Sequence, residues 1–383
     1  MTAAVPGAAE FQAAGLYDPA APDAQARLAL LEWLASHGAT VPQMVEANRK
    51  GRLGPLAGDL VLRPGPRYTV VEAAARTGIH EDRLRQLTLA TGLAILDPYE
   101  PVYSDADLAL FTNVGPSVAL FGEAAMRRFM QTVGSSLARI ADAALALFLV
   151  NVEGPLLEAR ASELEIAQQN LRAVQAIDGL DLMMRTLLRA HFERAIRRQR
   201  QARRTPAVDT VGMTVGFVDL VGFTSASRRM TPRELGDVID RFEETAHDVV
   251  NVRDGRVVKL IGDEVMFVAV DAAAGCDIAL ALVEEFGREA TVTPRGGLAA
   301  GDLVFRGGDY YGPVVNFAAR LAQIAVPGEL LVTTEVASQA AGPALRFEPA
   351  GKRLLKGFDD PVTLLAVERG RPFRATTRRP EGR

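Results

Sequence analysis

The hydrophobic pattern changes period once along this chain, near residue 208. Between residues 115 and 204 the apolar positions recur almost wholly at helical spacing. Beyond that point short apolar runs alternate with amphipathic stretches. Residues 211–221 (VGMTVGFVDLV) read as a buried strand. Thr231-Pro232-Arg233-Glu234 opens a helix reaching to about Asn251, with an N-cap Thr, a Pro at the first position and a Glu three residues after the cap. Residues 256–260 and 264–270 read as two strands around a tight turn at Ile261-Gly262-Asp263. A helix over 276–286, a strand near 296–304, a helix over 313–324 and short strands near 329–332 and 362–367 follow. The order β-α-β-β-α-β predicts a ferredoxin-like α+β domain behind an all-α half.

Four segments are expected. Residues 1–22, rich in Ala, Pro and Gly, read as a flexible tail, and 23–135 as a helical module. Residues 136–206 read as a helical dimerisation and linker region, and 207–383 as the α+β domain. Within the module, residues 24–36 show helical spacing and 51–67 read as a loop. Residues 68–111 give two short helices around Gly78 and resemble the winged helix-turn-helix of mercury-resistance-type regulators. The second helix is charge-balanced through Glu81, Asp82, Arg83 and Arg85, whereas phosphate contacts favour a basic surface. Residues 143–150 are apolar all round, as in a buried helix. The helical half ends on Arg194, Arg197, Arg198, Arg200, Arg203 and Arg204, before Thr205-Pro206 breaks it.

Composition excludes several classes. Of 383 residues, 43 are Lys or Arg and 47 Asp or Glu, so no overall basic charge drives the chain toward nucleic acid. The single Cys276 excludes an intrachain disulfide and a cysteine-based zinc site. The N-terminus lacks a signal-peptide pattern, and the most apolar stretch, residues 140–152, is shorter than the roughly 20 residues of a membrane helix. A cytoplasmic protein with no membrane span is expected.

Three motifs carry chemistry. Asp219 closes the apolar strand and is followed by Gly222-Phe223-Thr224. A strand-end carboxylate can hold a hard cation, and the backbone N–H groups after it can face phosphate. Lys259 interrupts an apolar strand four residues before Asp263. Carboxylates on neighbouring strand ends would suit a two-metal site. Asp309 stands before Gly312-Pro313, with Asn316 and Arg320 sharing one face of the following helix.

Together these residues resemble the catalytic domain of class III nucleotidyl cyclases over roughly residues 210–368. The helical half is similar to the regulatory region of actinobacterial adenylyl cyclases, on the residues DPYEPVYSDADLALF and the stretch behind them. The resemblance implies that Asp219 and Asp263, with the Leu220 backbone, hold two Mg2+ or Mn2+ ions per site. It implies that Lys259 and Asp309 read the purine, Asn316 orients the ribose and Arg320 stabilises the transition state. Gly222, Phe223, Thr224 and, on a looser spacing match, Lys356 would bind phosphate. Lys259 can donate to adenine N1 and Asp309 can accept from the 6-amino group, which selects ATP over GTP. The family builds its site between two catalytic domains, so a homodimer is expected, with a small-molecule or lipid regulator at the N-terminal domain. The expected activity is conversion of ATP to 3′,5′-cyclic AMP and pyrophosphate. Two other readings stay open: a guanylate cyclase, or a DNA-binding regulator with a degenerate cyclase-like sensor domain.

Overall fold

The computed structural model describes residues 6–62, 64–93, 97–202, 210–288, 292–358 and 360–370. It divides into two compact units, residues 1–190 and 191–383.

In the first unit, α1 (Ala8–Ala13), α2 (Ala24–Ser36), α3 (Val41–Arg49) and α4 (Leu56–Leu62) pack around buried Phe11, Leu30, Leu34 and Met44. Two sequence expectations change here. The stretch read as a flexible tail contains α1, anchored by Phe11 and Leu16, and the stretch read as a loop contains α4. Small residues surround both, so composition hides the few large side chains that reach the core.

Next come α5 (Val70–Thr77) and α6 (Glu81–Ala90), with Gly78 at φ 70° between them. Tyr68 and Tyr103 form an isolated bridge beside this pair. The charge balance of α6 is realised as ion pairs, Arg83 with Glu123 and Arg85 with Glu81. Three helical stretches follow: α7 (Asp105–Phe121), α8 (Glu123–Phe148), then a π-helical turn (Leu149–Glu153) running into α9 (Gly154–Glu158). The apolar residues 143–150 are not buried within the chain; Leu145, Leu147 and Val150 are exposed. Helical periodicity reports an apolar surface and not what covers it. Residues Glu123–Glu158 form one helical run of a length and composition that could cross a membrane, which corrects the shorter limit drawn from residues 140–152.

The long α10 (Glu163–Ala202) carries Arg194, Arg197, Arg198 and Arg200, whereas Arg203, Arg204 and Thr205-Pro206 lie outside the described residues. The unit boundary falls inside this helix, ahead of the expected start at 207, because its last residue, Ala202, is buried in the second unit's core with Val211 and Met213.

The second unit follows the expected α+β plan. Its elements are β1 (Thr210–Val221), α11 (Phe223–Ser227), α12 (Pro232–Val252), β2 (Arg256–Ile261), β3 (Glu264–Ala269), α13 (Ala272–Phe286), β4 (Thr293–Arg306) and β5 (Asp309–Tyr311). Then come α14 (Pro313–Ile324), β6 (Leu330–Thr333), α15 (Thr334–Gln339), β7 (Leu345–Arg353) and β8 (Val362–Arg369). The capping box read at Thr231 forms, with Thr231 and Glu234 bonding reciprocally. One sheet runs β2-β3-β1-β4-β6-β8-β7, with β5 hairpinned onto β4. Among the described residues, only β4 and β6 pair in parallel.

Alternation along β1 explains the layers. Val218 and Leu220 join Phe242, Val250 and Ile278 of α12 and α13 on one face. Val211, Met213, Val215 and Phe217 join Met266, Ala318 and Ala322 on the other, under α14. That second contact is very close. A Cβ on Gly297 of β4 would stand 2.3 Å from the Ala322 nitrogen and 2.5 Å from the Leu321 Cβ. Only glycine fits between this strand and this helix.

Candidate active site

The same alternation carries the candidate residues onto the α14 face. Asp219 continues the row of Val215 and Phe217. Lys259 pairs in register with Met266, which lies on that face too. Asn316 and Arg320 are carried by α14 itself.

The carboxylates gather at one end of the sheet. Asp263 occupies the two-residue turn between β2 and β3, and its carbonyl accepts the Leu220 N–H at 3.2 Å. Glu264 is paired in register with Asp219. Burial, with the nearby Asp219 charge added, raises the Asp263 carboxyl above its ordinary range. Glu264 is pushed up to about 7 by burial, then by Asp219 and Asp263. Arg295, opposite Asp219 in β4, donates to Asp219 Oδ2 from Nε at 3.1 Å and Nη2 at 2.9 Å. One guanidinium does not neutralise three carboxyls, so negative charge remains for a cation.

Among the described residues no group of three or more His, Cys, Asp or Glu side chains could hold a metal ion. The Asp219–Asp263 pair fits a different design. Mg2+ is commonly held by one or two carboxylates plus substrate phosphates, keeping several waters. Oxygen-only donors suit Mg2+ and Mn2+ over softer ions.

The expected base-reading pair meets directly. Lys259 Nζ donates to Asp309 Oδ2 at 2.6 Å, and Asp309 Oδ1 accepts the Tyr310 N–H at 2.7 Å. Lys259 is odd in sequence because it interrupts an apolar strand. In the fold β2 is the sheet edge, the Lys259 side chain is 41% exposed, and its charge is paired. Asp309 reaches it because the β4–β5 hairpin turns at Gly307-Gly308, both with positive φ (60° and 83°), as a two-residue type I′ turn requires.

The α14 residues are joined to the carboxylate end by a polar relay. Arg320 Nη1 donates to Gln323 Oε1 at 2.6 Å, and the Gln323 carbonyl accepts from Arg295 Nη1 at 2.9 Å. Asn316 is exposed on the same helix. Beyond β1, Gly222 turns the chain at φ 93° into α11, Phe223 is buried and Thr224 exposed. Lys356 is exposed between β7 and β8, and no ion pair joins it to the other candidates among the described residues.

Arg295 escapes the sequence reading, although a signal exists. Like Lys259, it interrupts an otherwise uncharged run, TPRGGLAAG at the start of β4.

Comparison with known proteins gives the family. Residues 9–196 match the adenylate cyclase regulatory domain, and residues 204–367 match the adenylate and guanylate cyclase catalytic domain. An adenylate cyclase of Streptomyces coelicolor is 32% identical over 283 residues, covering 73% of each chain. A pH-sensitive adenylate cyclase of Mycobacterium tuberculosis is 30% identical over 380 residues, 90% of this chain and 88% of that one. Among solved structures, the adenylyl cyclase CyaB from P. aeruginosa is 24% identical, with a TM-score of 0.39, over 42% of this chain and 96% of that one. The chain belongs to the class III adenylate cyclases that carry a helical regulatory domain ahead of the catalytic domain.

Proposed function

We propose that this chain converts ATP to 3′,5′-cyclic AMP and pyrophosphate at sites shared between two copies, under the control of its N-terminal domain. The observation that carries the choice of ATP is the Lys259–Asp309 pair, a donor and an acceptor held 2.6 Å apart. Adenine offers the matching acceptor at N1 and donor at the 6-amino group, whereas guanine offers O6 and N1–H.

In the reaction the ribose 3′-oxygen bonds to the α-phosphorus, the bond from that phosphorus to the β-phosphate oxygen breaks, and the hydroxyl proton is released. Asp219 and Asp263 would hold the divalent ions, which lower the pKa of the attacking hydroxyl and screen the leaving pyrophosphate. Arg320 faces the charge developing on the transferred phosphoryl oxygens, and Asn316 fixes the ribose. The exposed backbone at Gly222 and Thr224 is available to phosphate, with Lys356 as a further cation for the leaving group.

Two copies are needed because each supplies a different half. Asp219 and Asp263 would come from one protomer, and Lys259, Asp309, Asn316 and Arg320 from the other. A two-fold axis then makes two equal sites. A small molecule or lipid bound to the N-terminal half would act by shifting one catalytic domain against the other, since in-line attack depends on placement.

The test is product analysis with full-length protein, Mg2+ or Mn2+, and ATP or GTP. Cyclic AMP and pyrophosphate in equal amounts are expected from ATP, with little product from GTP. Cyclic GMP as the main product would refute the base reading, and no product from either would refute the activity.

A further inference from the structure

Arg256 grips the two residues that flank Asp309. Its Nη2 donates to the Gly308 carbonyl at 2.9 Å, and its guanidinium lies 5.8 Å from the centre of the Tyr310 ring. It stands on edge strand β2, three residues before Lys259. Two links therefore join β2 to the hairpin: the Lys259–Asp309 ion pair, and Arg256 with its two contacts.

The two links differ in what a purine does to them. For Lys259 to donate to a ring nitrogen and Asp309 to accept from an exocyclic amine, the ion pair between them has to open or be shared. The hairpin then loses its first link at the moment when Asp309 must be held most accurately. Its tip is Gly307-Gly308, with no side chains to pack it in place. The Arg256 contacts go to the Gly308 carbonyl and the Tyr310 ring, neither of which the base uses. They persist with the purine bound. Arg suits this task because its planar group can bond a carbonyl and cover an aromatic face together, which a Lys ammonium does not.

We propose that Arg256 is a positioning residue that holds Asp309 at the 6-amino group of adenine after Lys259 has turned to the ring, and so sets the preference for 6-aminopurine nucleotides. The inference rests on the base-reading roles proposed for Lys259 and Asp309.

The experiment compares full-length wild type with Arg256→Met, Arg256→Lys and Asp309→Ala. Substrates are ATP and purine riboside triphosphate, which lacks only the 6-amino group. The readout is the ratio of the two kcat/KM values, with kcat and KM for ATP measured separately. Arg256→Met is expected to lower the ATP preference about tenfold, mainly through a higher KM for ATP, the scale of one hydrogen bond from a charged group. Arg256→Lys should lie between, losing about threefold, because it can still donate to the Gly308 carbonyl. A merely structural role would reduce both substrates alike and leave the ratio unchanged. The proposal is overturned if Asp309→Ala lowers the ratio while Arg256→Met stays within about twofold of wild type. Should the Met variant not fold, Arg256→Lys decides, and a wild-type ratio there overturns it equally. If Asp309→Ala leaves the ratio untouched, the base reading itself fails and this inference with it.

Discussion

Arg295 stands directly opposite Asp219 across β1 and β4 and closes on Oδ2 of its carboxylate with two N–H groups, at 3.1 and 2.9 Å. Its remaining nitrogen donates to the carbonyls of Gln323 and Ala325, at 2.9 and 3.3 Å. One guanidinium thus ties the Asp219 carboxylate to the C-terminal end of the helix that carries Asn316 and Arg320. Arg295→Ala removes both ties and leaves Asp219 beside two further carboxyls. A loss of about 2 kcal/mol of stability is expected, as for a partly buried pair with one partner removed. Urea unfolding of wild type and variant measures it; an unchanged midpoint would show that the pair is not structural.

Asp219→Ala and Asp263→Ala should each abolish cyclisation in a protein that stays folded. Asp263→Ala removes like charge from a crowded site, so its stability should hold or rise, whereas Asp219→Ala also unpairs Arg295 and should cost up to about 2 kcal/mol; ion binding is lost in both. Circular dichroism checks the fold, and cyclic AMP production at saturating Mn2+ checks the activity. Substantial activity in either variant would contradict the metal assignment.

How much of this was legible in the sequence depended on the range of the interaction that made each element. Helix α14 is bounded as read, at Pro313 and Ile324, because a Pro start and its apolar spacing are local signals. The three-residue β5 has no room to display a period, and β7, mostly exposed, carries little apolar pattern. Six candidate positions were visible as residue types at fixed spacings. Arg295 and Arg256 lie outside those motifs, and what gives them a role is contact with partners 76 and 52 residues away in the chain. The exposed apolar residues 143–150 show the converse: spacing reveals a sticky face without naming its cover.

Glu264 gives a pH signature in the metal-free protein. Its folded-state pKa is raised from 4.5 to about 7. Between those values the folded chain holds a proton that the unfolded chain has released, so stability falls as pH rises through the window. Glu264→Gln should flatten that fall and leave the variant about 2 kcal/mol more stable than wild type at pH 8, with little difference at pH 4. Urea midpoints across pH, with chelator present, would show it. Parallel curves for the two proteins would contradict the burial argument.

Gly297→Ala should push α14 off the sheet, since the new Cβ meets helix backbone at 2.3 Å. The helix carries Asn316 and Arg320, so kcat should fall by more than about tenfold while the protein still binds ions. Steady-state kinetics beside ion titration checks this. A fall in ion affinity with kcat unchanged would mean that the strain is taken up on the carboxylate side.

The shared site is tested most directly by mixing two dead variants. Asp219→Ala lacks one half of each site and Arg320→Ala the other. Random exchange makes half of the dimers mixed, and each mixed dimer has one intact site of two, so roughly a quarter of wild-type activity should return. Cyclic AMP production by the co-refolded mixture, beside each variant refolded alone, measures it. Recovery near that level is the result predicted here. A mixture that stays inactive, while sedimentation shows both variants dimerising and exchanging, would contradict a site built from two chains.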